Sequence, residues 1–195
     1  MSLSLRKNDK ELGLYIFGKV QVSEVDDTTD LEHTTEAVDI FLSICDMLRF
    51  GKIKYIYINS TGGDVEAENS ILSAIAMSDN KPHCVIAGLC YSAATSIALS
   101  CNHIVVSPVA ELMFHPTTSS YDRNNLYEIT AMARTGIATH EYIVRNIYSR
   151  YLTNIQLKTL LHGGVVSMTG EEFYLQNQRM RGKCNFITAV ELLDF

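Results

Sequence analysis

Two hydrophobic periods alternate along the chain. LYIFGKV, residues 14–20, reads as a strand, and IKYIYINS, residues 53–60, is a β-branched and aromatic run that reads as another. HCVIAGL is a third strand, and HIVVS and ELMFH are two shorter ones. Between them the period lengthens. EAVDIFLSICDMLRF sets Val38, Phe41, Leu42, Cys45 and Leu48 at helical spacing. TGGDVEAENSILSAIAMS opens on two glycines and continues as a helix with Val65, Ile71, Leu72 and Ile75 to one side. SAATSIALSC is a helix of small residues, and residues 121–151 read as one long helical stretch, weakened by a glycine and by β-branched positions.

Strands that alternate with helices predict an α/β fold of stacked β-α-β units with a largely parallel sheet. No repeat, low-complexity linker or composition break divides the chain, so residues 1–195 are expected to form a single domain. In such sheets ligands meet the carboxyl ends of the strands. Two loops fall there: NSTGGD after IKYIYI, and LCYSAA after HCVIAG.

Composition narrows the classes. A chain of 195 residues, 47% hydrophobic and 19% charged, can bury a sizeable core. A net charge of -6 without any long run of like charge argues against nucleic acid or an anionic membrane surface as partner. The polar N-terminal stretch lacks the apolar core of a signal peptide, and no apolar run is long enough to span a bilayer. Five cysteines, an odd number without CxxC spacing, read as free thiols in a reducing compartment, so a cytoplasmic location is expected. No spacing of histidines with acids or cysteines suggests a metal, and no cofactor is expected.

Three features could carry chemistry. Ser92 stands where a strand turns into a helix, a seat that suits a nucleophile or an ordinary capping serine. Gly62 and Gly63 could let backbone N–H groups approach a ligand, or simply make a tight turn. His115, at the end of ELMF and before Pro116, could be a base within reach of Ser92 or a half-buried structural histidine; His33, His83, His103, His140 and His162 have no comparable setting.

Taken in order, YINSTGG, AGLCYSAATSIALS and ELMFHP closely resemble the proteolytic subunit of the Clp protease, the ClpP family of serine peptidases. The likeness runs from about Leu14 to about Thr188, nearly the whole chain. It implies the ClpP/crotonase-like fold, stacked β-β-α spirals with a protruding handle helix at about residues 121–151. It implies Ser92 as nucleophile, His115 as base, and the N–H groups of Gly63 and Ala93 as oxyanion hole. The substrate would be a peptide or unfolded protein, cleaved within a homo-oligomer of heptameric rings, and an ATPase unfoldase would be a partner. The handle's apolar residues Leu126, Ile129, Met132, Ile137, Tyr142, Ile143 and Ile147 would join two rings.

The chain departs from that pattern in five places. The position of the family's aspartate falls near Gly164 or Val165, with no acid at either; His162, Asn102, Asp122 or a backbone carbonyl are candidate substitutes. Asp64 replaces an apolar residue, and Thr61 the usual proline. The segment before the first strand is short, and the loop at residues 23–35 is long. Two other readings therefore stand beside the peptidase: a catalytically silent ClpP-like subunit of a mixed ring, and a crotonase-fold enzyme acting on acyl-CoA.

Overall fold

In the computed structural model, which describes residues 3–7, 11–21, 31–117, 125–181 and 186–188, the isoleucine- and tyrosine-rich runs lie side by side in one sheet. Its strands are β1 (Leu3–Lys7), β2 (Leu12–Val20), β3 (Ile53–Gly63), β4 (His83–Tyr91), β5 (His103–Val106), β6 (Glu111–Phe114), β7 (Val166–Thr169) and β8 (Phe186–Thr188). The helices are α1 (Leu31–Arg49), α2 (Val65–Ala76), α3 (Ala93–Ser100), α4 (Leu126–Asn146), α5 (Asn154–Leu161) and α6 (Gly170–Arg181).

The order β1-β2-β3-β4-β5-β8 is parallel except at β1–β2. β4 changes partner along its length: His83 to Ile86 pair with β5, whereas Leu89 to Tyr91 pair with β6. β6 in turn pairs antiparallel with β7. The α/β architecture, with α4 as handle, is the one expected.

Alternating burial explains the central strand. Ile53, Ile56 and Ile58 of β3 are fully buried against Phe41, Ile44 and Leu48 of α1 and Ile71 and Ile75 of α2, all in one core cluster. Each such side chain contributes about 1.5–3 kcal/mol on leaving water. Leu42, read from spacing as core, is instead exposed, and Ile44 takes the inward place.

The boundaries depart from the pattern reading in informative ways. β3 runs through Gly62 and Gly63 rather than ending before them, because the two glycines pair with Lys19 and Val20 of β2. The polar N-terminal stretch holds a strand, β1, which pairs antiparallel with β2 and leaves Leu3 buried. The long helix begins at Leu126, where Asn125 and Glu128 form a capping box: Glu128 N–H donates to Asn125 Oδ1 at 3.0 Å, and Asn125 N–H to Glu128 Oε2 at 3.3 Å. It stops at Asn146, and Tyr148–Arg150 form a short 3-10 turn. Residues 121–124, expected to be helical, lie outside the described residues, as do Asp122 and most of the long acidic loop.

Candidate active site

Ser92 leaves the end of β4 with φ 54° and ψ -126°, the single non-glycine residue of positive φ among those described. That backbone conformation costs on the order of 1–3 kcal/mol and persists only where the surroundings impose it. Here they do so from both sides. The Ser92 N–H donates to the Met113 carbonyl of β6 at 2.8 Å. Its carbonyl accepts from the Thr95 N–H at 2.9 Å and from the Thr95 hydroxyl at 2.6 Å. The Thr95 hydroxyl has spent its hydrogen on that bond, so the Tyr148 hydroxyl, 2.7 Å away, is the donor between those two. Tyr148 is buried, meets the Phe114 ring edge-on at 5.1 Å, and burial holds its hydroxyl far above the usual phenol range. The base of the handle thus props the turn that carries Ser92.

His115 follows β6 directly. Since Tyr91 pairs with Met113, Ser92 leaves β4 beside the point where His115 leaves β6. The imidazole Nδ1 lies 2.7 Å from the Pro116 carbonyl oxygen. A carbonyl can only accept, so Nδ1 carries the hydrogen and the neutral ring has Nε2 free to take a proton.

The glycine pair closes the other side. Gly62 has φ 88°, and a methyl group built on it would stand 2.7 Å from Ser92 Cβ, 2.7 Å from the Tyr91 carbonyl oxygen and 3.2 Å from the Ala93 nitrogen. Gly62 N–H donates to Ser60 Oγ at 3.1 Å, and Ser60 donates to the Gly18 carbonyl. Gly63 packs so closely on β2 that a methyl there would meet the Val20 carbonyl oxygen at 1.9 Å. Asp64 N–H donates to that same oxygen at 2.7 Å. Gly63 is the last residue of β3 and pairs with Val20. Ala93 is the first residue of α3, whose first N–H groups have no partner within the helix.

The candidate substitutes for the aspartate separate clearly. His162 binds the Lys158 carbonyl through Nδ1 at 2.7 Å and closes its own helix, and Asn102 is exposed at the start of β5. Val165 is exposed too. The backbone carbonyl of Pro116 is the group that meets the ring. Asp64 is exposed and makes no side-chain cap on α2. At Gly164 a Cβ would press to 2.6 Å on Thr159 Cγ2 and to 3.0 Å on the Thr159 carbonyl oxygen. Gly164→Asp is therefore expected to overpack this turn, at a cost of about 1–3 kcal/mol, and to lower the unfolding temperature. Thermal melts of the two proteins check this.

One buried acid escaped the sequence reading. Glu68 lies on the inner face of α2 and is almost wholly buried, and the Ser96 hydroxyl of α3 meets its Oε1. Burial raises its carboxyl above the ordinary value, against the lowering influence of Ser96 and of the His115 imidazole. A signal was present: Glu68 stands three and seven residues before Ile71 and Ile75, on the stripe that the helix buries.

Among the described residues, no group of histidines, cysteines and acids could hold a metal ion, and no helix is long and apolar enough to cross a membrane. Cys84, Cys90 and Cys101 are buried free thiols and Cys45 a half-buried one, burial pushing the Cys45 thiol up to about 11.

No curated protein matches the chain. The family model described as Clp protease matches residues 27–162, a span that holds the glycine pair, Ser92 and His115 and stops short of Gly164. That span exceeds two thirds of the sequence, and the chain belongs to the Clp protease family.

Proposed function

We propose that this chain is a serine endopeptidase subunit that hydrolyses peptide bonds of unfolded polypeptides inside a ring-shaped homo-oligomer. The observation that carries the reading is the enforced positive φ of Ser92 at the start of α3, beside His115 and against Gly62. Nothing in packing alone calls for a strained serine with a base beside it.

The chemistry follows from the hydrogen positions. Ser92 Oγ attacks the scissile carbonyl carbon while its proton passes to His115 Nε2. The carbonyl oxygen gains the negative charge, and the N–H groups of Gly63 and Ala93 face that oxygen. His115 then gives the proton to the leaving amine, the C–N bond breaks, and water releases the acyl group by the same steps in reverse roles. In triad enzymes an orienting group that enforces the wrong tautomer costs roughly four orders of magnitude in rate. The Pro116 carbonyl fixes the right tautomer here, so slow hydrolysis of small unstructured peptides is expected, with folded proteins degraded only alongside an ATPase unfoldase.

The test is covalent labelling of the parent protein with a fluorophosphonate, together with a fluorogenic-peptide assay. Labelling at Ser92 with slow turnover supports the reading. A folded, assembled protein whose Ser92 never reacts overturns it and leaves the silent subunit, which the lack of an acid at Gly164 favours.

Assembly rests on α4. Leu126, Tyr127, Ile137 and Tyr142 are exposed there, more apolar surface than a solvated helix carries. A second ring is the occupant proposed. Ile137→Asp is expected to halve the assembly's mass in light scattering, and a parent that is monomeric at micromolar concentration would sink the idea.

A further inference from the structure

The face of β6 that leads to His115 also lines a groove. Along β6, Glu111 is exposed, Leu112 buried, Met113 half-buried and Phe114 buried. Glu111 and Met113 therefore share one face, and His115, two residues on and half-buried, follows them. β4 and β7 pair with β6 on its two sides, Tyr91 opposite Met113 and Thr169 opposite Glu111. A cavity of about 470 Å³ lies over this face, lined by Tyr91, Glu111, Met113, Met168, Thr169 and Glu172 among others. Tyr91 is the residue before Ser92, so the groove begins one residue from the nucleophile.

Two of the lining residues are glutamates, and none is a lysine or arginine. Each carboxylate is held by one oxygen. The Tyr91 hydroxyl donates to Glu111 Oε2, the diagonal contact of two neighbouring strands. Glu172 Oε2 accepts from the Thr169 N–H at 2.8 Å and from the Thr169 hydroxyl at 3.2 Å. Neither Oε1 has a hydrogen-bond or ion-pair partner among the described residues. Each glutamate is thus fixed in place and keeps a free acceptor, and Met113 and Met168 add apolar wall beside them. Such a groove suits a side chain with a methylene stem and a cationic head.

We propose that this groove is a substrate subsite that receives a lysine or arginine side chain of the peptide, with Glu111 and Glu172 as its specificity-determining residues. This deepens the peptidase reading and rests on it. Glu111 stands four residues before His115, about 13 Å along an extended strand. An extended peptide advances about 3.3–3.6 Å per residue. A long side chain on a residue within about three of the scissile bond therefore covers that distance. An apolar side chain of the same length gains the methionine wall but leaves both free carboxylate oxygens unpaired, and an acidic one meets like charge. Asp64, which follows the glycine pair, is exposed and of the same sign, so the other side of the site does not oppose the choice.

The experiment compares fluorogenic peptides that differ at one position near the scissile bond, lysine against norleucine, which keeps the stem and lacks the charge. At the position that fills the groove, the parent is expected to favour lysine about fivefold in kcat/KM, the upper range for a solvent-exposed ion pair. High salt is expected to shrink that preference. Glu111→Gln keeps an acceptor for the Tyr91 hydroxyl and is expected to bring the lysine-to-norleucine ratio toward one. Glu111→Lys is expected to reverse the choice, so that a glutamate peptide is cleaved faster than the lysine peptide. Equal rates for lysine and norleucine at every flanking position, or a ratio that Glu111→Gln leaves untouched, overturn the proposal. If Glu111→Lys does not fold, Glu111→Gln decides alone. If the parent cleaves no peptide, the peptidase reading fails, and fluorescence anisotropy of the same peptides, dye-labelled, decides the groove. Tighter binding of the lysine peptide by the parent than by Glu111→Gln supports it, and equal binding overturns it.

Discussion

Ser92→Ala is expected to abolish measurable peptide hydrolysis, a loss of at least roughly a hundredfold, the margin between losing a nucleophile and losing only its orienting acid, and to leave the fold intact. Ser92→Gly is expected to do the same and to unfold at a higher temperature than the parent. The two variants share the loss of Oγ and differ in the backbone. Ser92 holds φ 54° and ψ -126° because Met113 fixes its N–H and Thr95, backed by Tyr148, fixes its carbonyl. Alanine keeps the strain of a Cβ in that region; glycine removes it and returns on the order of 1–3 kcal/mol. A gain in stability together with lost activity marks a position held under strain for function. Turnover of a fluorogenic peptide and thermal melts of the three proteins test this. An alanine variant that cleaves as fast as the parent removes Ser92 from the mechanism.

The second large effect belongs to the glycine pair, where the two members should fail differently. Gly62→Ala puts a methyl group 2.7 Å from Ser92 Cβ and forces a side chain onto φ 88°. It is expected to cost about 1–3 kcal/mol of backbone strain, with as much again from overpacking, and to displace Ser92, whose Cβ it meets. Activity should fall at least a hundredfold, since a displacement near 1 Å has about that effect. Gly63→Ala meets backbone rather than side chain, 1.9 Å from the Val20 carbonyl oxygen. No rotamer relieves that contact, so β2 must part from β3 where Asp64 N–H bonds the same oxygen. The expected outcome is a protein that melts much lower and labels poorly with fluorophosphonate. A Gly63→Ala protein with the parent's melting temperature would show that β2 and β3 do not meet as closely as described.

These glycines also show where pattern reading stopped. GG after a strand breaks the period and reads as the opening of a helix. The structure continues β3 through them because β2 supplies partners at Lys19 and Val20, and those partners lie outside any local window. The same holds for β1. Its sequence is polar enough to read as a tail, and it becomes a strand because β2 offers an unpaired edge. Leu42 and Ile44 differ by two positions on one helix, and the helical period alone does not decide which of them is buried.

What the sequence determined by itself was the run of elements from β2 to α4 and the candidate seats of the chemistry. Periods of two and of three to four apolar positions fixed the central strands and α2, α3 and α4 to within a few residues, because those periods are local geometry. The strand-to-helix junction fixed Ser92 at the amino end of a helix, and the motif order tied Gly62, Gly63 and His115 to it. The tertiary structure decided everything that depends on partners distant in the chain. It set the strain at Ser92, which Met113 and Tyr148 impose from β6 and from beyond α4. It set the tautomer of His115, which a backbone carbonyl holds. It also turned Glu68 inward, because burial follows from the helix packing on α3, and a carboxyl's environment is made by neighbours that the sequence does not put beside it.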